Sequence, residues 1–235
     1  MRIAALLGLS LALIASAARA VPASEPDDMV LGNPKAPVAV IEYASAGCPH
    51  CAHWANETLP AFKAKYIDTG KARLVLREEI TGSEAVAAAG FMVARCAGPE
   101  KYFAVLDAIF QRQADMFAAG TAGAILEDIA QKQGGLTDEA FKSCIYDQAA
   151  LNELNARSAR HADGDGVGST PTFFIGKAQF SGDVTMDQLA TAIAAAAPAA
   201  PKHHAPPKKH PAPPAAKPAV VPAKPTAPTA QHPKH

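Results

Sequence analysis

The alternation of apolar and polar positions divides the chain into a leader, a patterned body and an unpatterned tail. Residues 35–43 hold the apolar, β-prone run Val38-Ala39-Val40-Ile41, which predicts a strand buried on both faces. A short loop, 44–47, leads to Cys48, and residues 49–68 carry helical spacing. Pro49 suits the first helical position, where its missing N–H would be unpaired in any case. Pro60 falls inside the same stretch and is expected to kink it, and Gly70 to stop it. Arg73-Leu74-Val75-Leu76-Arg77 predicts a second strand, and a β–α–β crossover makes the two strands parallel.

The pattern then changes. Residues 84–97, 100–117, 122–133 and 138–160 show helical spacing in alanine-rich sequence, punctuated by Gly82, Gly98-Pro99, Gly120, Gly123 and Gly134-Gly135. They predict a block of about four helices, the last of them open to being split. Residues 172–175 and 178–180 predict two short strands about a Gly176-Lys177 turn, and 186–197 a final helix. The order β-α-β, helical block, β-β-α describes one α/β domain with an all-helical insertion at about residues 82–162, because neither half of the sheet could stand alone.

Two stretches fall outside that domain. Arg2, the apolar core 3–14 and the small–x–small pattern Ala18-Arg19-Ala20 predict a signal peptide over residues 1–20, cleaved near Ala20 so that the mature chain begins near Val21. The alternative, an uncleaved anchor, is disfavoured by a run shorter than the ~18 apolar residues of a membrane span. Residues 198–235 are dominated by Ala, Pro, Lys and His and lack large side chains to bury, so they predict a disordered, extended tail. The domain proper is then 21–197, a comfortable size for one core.

Charge changes the picture little. The 22 basic and 22 acidic residues cancel over the chain, but the tail holds six lysines, five histidines and no acid. The body is acidic, with no basic patch interleaved with aromatics, which argues against nucleic acid.

The candidate chemistry lies in four cysteines, Cys48, Cys51, Cys96 and Cys144, in a chain expected to be exported to where disulfides persist. Of the three possible pairings, spacing favours 48–51 with 96–144. Cys48-Pro49-His50-Cys51 can close only a small, strained disulfide, and such a bond exchanges readily. Cys48 sits where a buried strand turns into a helix, so its sulfur meets unpaired N–H groups and the positive end of the helix dipole. A protonated His50 would add to that preference for thiolate. Cys51, one turn on, is expected to be more buried, so Cys48 exchanges and Cys51 resolves. A structural zinc site needs four ligands, and Cys96 and Cys144 are isolated on helices. Haem attachment needs His after the second cysteine, where Ala52 stands. A metal clip of Cys48, Cys51 and His53 lacks a fourth ligand.

Val40-Ile41-Glu42-Tyr43, Cys48-Pro49-His50-Cys51, the helical block, and then Thr170-Pro171-Thr172-Phe173-Phe174 together resemble the DsbA family of thioredoxin-like thiol–disulfide oxidoreductases over about residues 29–197. The resemblance implies a thioredoxin-like fold with an inserted helical domain, and a cis Pro171 beside the cysteine pair; an X–Pro bond is the only kind that adopts cis at modest cost. It implies a buried acid at Glu42 that passes a proton to and from Cys51, the alternative being a strand-end glutamate that reaches water. Thr170 departs from the valine of the best-known oxidases and matches isomerase-like and thioredoxin-like relatives, which leaves the direction of electron flow open. Some family members also carry a second pair, and Cys96–Cys144 is expected to be a structural bridge.

His161 is expected at a surface helix end. Asp163-Gly164-Asp165-Gly166 hints at a calcium loop, but Val167 and Phe174 stand where oxygen ligands are needed, so it reads as a flexible turn. The expectation is a periplasmic oxidoreductase that exchanges disulfides with cysteine-bearing exported proteins, most readily as an oxidase, needs no cofactor or metal, and is reset by a membrane redox partner. The rivals are an isomerase or reductase on the same scaffold, and an envelope metal-handling protein using the His-rich tail with Cys48 and Cys51.

Overall fold

The computed structural model describes residues 22–118 and 120–198. The expected signal peptide and tail lie outside the described residues. Five strands form one mixed sheet: β1 (Met29–Leu31), β2 (Val38–Ala44), β3 (Ala72–Glu78), β4 (Thr172–Ile175) and β5 (Ala178–Ser181), in the order β1-β3-β2-β4-β5. Central β2 runs parallel to β3 and antiparallel to β4, while β1 and β5 are antiparallel edges. Both faces of β2 are covered, as its apolar run requires. Val38 and Val40 pack with Trp54, Phe62, Phe173 and Leu189 on one side; Ile41 and Tyr43 pack with Val75 and Phe174 on the other. The three-residue β1 was not anticipated, being too short to show a period.

The crossover from β2 to β3 contains α1 (Pro49–Glu57), with Pro49 in its first turn, then α2 (Leu59–Phe62) and a π-helical turn, Lys63–Ile67. Pro60 does more than kink a helix: α1 ends at Thr58 and Pro60 occupies the first turn of a new one. The helical block contains α3 (Glu84–Cys96), α4 (Tyr102–Gln111), α5 (Gln113–Phe117), α6 (Ala122–Ile129) with a π-helical turn at Ala130–Gly134, α7 (Asp138–Ile145) and α8 (Gln148–Gly164). The stretch expected as one helix from 100 breaks at Arg112. The stretch from 138 breaks because Asp147 caps a new helix, its side chain accepting from the Ala150 N–H at 3.0 Å. The fold closes with α9 (Met186–Ala196), opened by a Thr185/Gln188 capping box. Trp54 Nε1 donates to the Val184 carbonyl at 3.1 Å, tying α1 to that turn.

The expected place of His161 is overturned. His161 is not at the surface: it is 3 % exposed within α8, 3.4 Å from Glu79 and 3.5 Å from Glu25, with its ring edge-on to Tyr43. Burial opposes its charging, but the two carboxylates outweigh that and raise its pKa. Asp165, read as part of a flexible turn, accepts from Arg77 at 2.9 Å and from the Tyr43 hydroxyl at 2.5 Å, which pins the loop leading to Thr170. Charged residues at the end of β3 were the missed signal. Arg77 and Glu78 are each 1 % exposed, and Glu78 is held by Arg95 and Arg157.

Candidate active site

The last residue of β2 is Ala44, and after three intervening residues the chain enters α1 with Cys48 as its N-cap. The connecting loop is held from several sides. Ser45 Oγ accepts from the Gly47 N–H at 3.1 Å and donates to the Thr81 carbonyl at 2.8 Å. Gly47 lies against the Gly82-Ser83 backbone so closely that a Cβ on it would stand 2.3 Å from the Ser83 carbonyl oxygen. Only glycine fits such an approach. From the helical layer, buried Gln113 donates Nε2–H to the Ala46 carbonyl at 2.8 Å and to the Cys48 carbonyl at 3.2 Å. Sequence reasoning missed Gln113. The available signal was its spacing three residues before Met116 on a short helix that buries both.

Both active-site cysteines are reduced. Cys48 is 8 % exposed and Cys51 fully buried. The two thiols are driven apart in acidity. The Cys48 thiol is pulled down to about 5. Donation from the Cys51 thiol is the largest cause; the Thr170 hydroxyl and the backbone N–H groups of Cys51 and His50 add to it, against the opposing effect of burial. Burial pushes Cys51 far the other way, helped by its donation to Cys48 and by the nearby Glu42, with a Ser45 N–H at 3.4 Å as partial relief. His50 contributes to that lowering through its backbone N–H. Its imidazole is 75 % exposed and lies 3.8 Å from Asp183, which also takes His53 at 3.1 Å.

The Thr170–Pro171 peptide bond is cis and brings Thr170 to Cys48. As a thiol, Cys48 donates to the Thr170 carbonyl at 3.4 Å. As a thiolate it can only accept, and the Thr170 hydroxyl is its donor. Thr81 Oγ1, 2.9 Å from Thr170 Oγ1, leaves that proton free when it is itself the donor. Glu42, paired between Leu76 of β3 and Phe173 of β4, is 2 % exposed, and burial alone raises its pKa to about 8. It is a buried acid and does not reach water at a strand end.

Cys96 at the end of α3 and Cys144 in α7 are joined, with Cα atoms 6.2 Å apart; Cys144 is buried and Cys96 faces solvent. Among the described residues, no three His, Cys, Asp or Glu side chains are placed to hold a metal ion.

A buried dithiol at a helix N-terminus, facing a cis-proline, sets this chain beside known proteins. The family model described as thioredoxin matches residues 24–195. A Rickettsia felis protein named "Putative protein-disulfide oxidoreductase" is 36 % identical over 168 residues, covering 71 % of this chain and 59 % of the relative. Alpha-DsbA1 of Wolbachia pipientis superposes with a TM-score of 0.66 at 27 % identity, over 73 % of this chain and 92 % of that one. The chain belongs to the DsbA family of thioredoxin-like proteins. BdbD from Bacillus subtilis, at 17 % identity and a TM-score of 0.65 over 72 % of this chain and 92 % of that one, shares the fold. This DsbA-family chain spans about three-fifths of the length of the rickettsial relatives it matches. None of its described helices is long and apolar enough to cross a membrane.

Proposed function

We propose that the protein is a periplasmic dithiol–disulfide oxidoreductase that oxidises cysteines of exported proteins. The observation that carries this reading is the opposed tuning of the pair, Cys48 held near 5 and Cys51 held high at a helix N-terminus. With the pair oxidised, a substrate thiolate attacks the Cys48 sulfur, the more exposed of the two. The Cys48–Cys51 bond breaks, and Cys51 leaves with the electron pair and takes the proton of neutral Glu42. A second substrate thiolate then attacks the substrate sulfur of the mixed disulfide and expels Cys48 as a stable thiolate. The substrate has lost two electrons and the pair has gained them, for a membrane redox partner to remove.

The direction follows from which form the tuning stabilises. Only the reduced form carries the thiolate. At pH 7, a pKa of about 5 in place of 9 stabilises that form by about 2.7 kcal/mol. At 30 mV per ~1.4 kcal/mol this raises the potential by about 60 mV, toward an oxidant. Thr170 works in the same direction here, as a donor to the thiolate, so threonine before the cis-proline is compatible with an oxidase. The second reading, an isomerase, draws on that same threonine. Two assays on the full mature chain separate them. An oxidase forms disulfides in a reduced substrate stoichiometrically and does little for a scrambled one. Faster rescue of the scrambled substrate would favour the isomerase.

A further inference from the structure

On the face of β2 that carries Glu42, opposite Tyr43, lies a cavity of about 490 Å³ whose lining includes neither Cys48 nor Cys51. It opens between the sheet and the helical layer, and its walls include Leu31, Leu74 and Leu76 from the strands and Phe103, Leu106 and Phe110 from α4. Glu42 lines it, almost wholly buried, with no hydrogen bond or ion pair to its carboxyl among the described residues. The other charged lining groups are Glu100, Asp107 and Lys63. Lys63 is already engaged, 2.7 Å from Asp68. The cavity is thus an apolar box with acidic groups and one unpartnered buried carboxyl, of the size that takes a small organic molecule.

We propose that this cavity binds small monocationic amines with a compact apolar body, whose ammonium group pairs with the Glu42 carboxylate. An anion would meet the carboxylates of Glu100 and Asp107, with Lys63 already paired to Asp68, and a neutral apolar molecule would leave the buried Glu42 carboxyl without a hydrogen bond, which is costly. Binding is a proton exchange: the ammonium enters with its charge, neutral Glu42 releases its proton to solvent, and a charge-assisted hydrogen bond forms. The binding stands on the cavity alone. A kinetic consequence rests on the reading of Glu42 given above: an ionised, amine-paired Glu42 cannot donate a proton to Cys51, so disulfide exchange slows with occupancy.

The test uses 2-phenylethylamine as probe and 2-phenylethanol as its neutral counterpart, with calorimetry on the full mature protein in buffers of different ionisation heat. The amine is expected to bind about tenfold tighter than the alcohol, the margin of a hydrogen bond to a charged group. Close to one proton is released per amine at pH 7, and amine affinity climbs with pH and levels off above about 8, where Glu42 is already ionised. Ala104→Trp, on the exposed rim, should remove binding and leave exchange in the absence of amine unchanged; Glu42→Gln should remove the preference for amine over alcohol. Equal affinity for amine and alcohol, absence of proton release, or binding that survives Ala104→Trp would overturn the site. Amine binding with all these properties but no slowing of exchange would leave the site standing and overturn the proton-transfer role of Glu42.

Discussion

A carboxyl group costs most where Glu42 sits, and the cost has a sign that can be measured. Its folded pKa, about 8, lies above the ordinary value of 4.5. Its contribution to stability is therefore fully present below about 4.5 and is lost as pH rises toward 8. At pH 7 the penalty is on the order of 3 kcal/mol. Glu42→Gln should accordingly stabilise the reduced protein at pH 7 by up to that amount and flatten its stability between pH 5 and 8, while slowing release of Cys51. Denaturant titrations of both proteins across that range check it; an unchanged pH profile would place the carboxyl in water. The Cys48 thiolate has the opposite sign. Its pKa is depressed, so the stability it gives the reduced protein is present above about 9 and fades as pH falls through about 5.

The elements that aim these residues come from three directions, and the sequence shows them unequally. β2, β3, β4 and α9 were legible because each has a clear period or a turn signal at its ends, with bounds off by a few residues at most; α1 was legible at its start but not at its end, where Pro60 opens a new helix. Glu42, Cys48, Cys51, Thr170 and Pro171 stood out by residue type and motif, and the fold brings them together. What could not be read is what pairing alone decides: the short β1 edge, the buried Arg77–Asp165–Tyr43 cluster that fixes the loop before Thr170, and Gln113. His161 was misjudged because a polar residue on a helix looks exposed until the charges of another segment are placed against it. The Gln113 brace is testable. Gln113→Leu leaves the Ala46 carbonyl buried without that partner, at a cost of about 1–3 kcal/mol. Urea unfolding measures it, and no loss of stability would mean that water replaces the amide. The α3–α7 bridge spans 48 residues, for which chain entropy gives ~4 kcal/mol as an upper figure. Replacing Cys96 and Cys144 by alanine should lower stability by no more than that and leave exchange at Cys48 intact, as thermal unfolding and an exchange assay would show.

At the scale of the whole molecule, the loop before α1 is braced from beyond β3 by Thr81 and from the helical layer by Gln113, and the acidity of Cys48 reports how well that bracing holds. The Pro-, Ala- and Lys-rich segment after residue 198 follows the last helix of that assembly. Ending the chain after Ala197 should keep the exchange rate within a few-fold of intact protein; a larger loss would give that segment a part in the chemistry. The direction of exchange turns on one quantity, the thiolate of Cys48. Ultraviolet thiolate absorbance of the reduced protein against pH, with Cys48→Ser as control, measures it directly. The expected result is a midpoint near 5 that disappears in the control. A midpoint near 9 would mean that Cys51, Thr170 and the helix terminus do not stabilise the anion, and the oxidase reading would be contradicted.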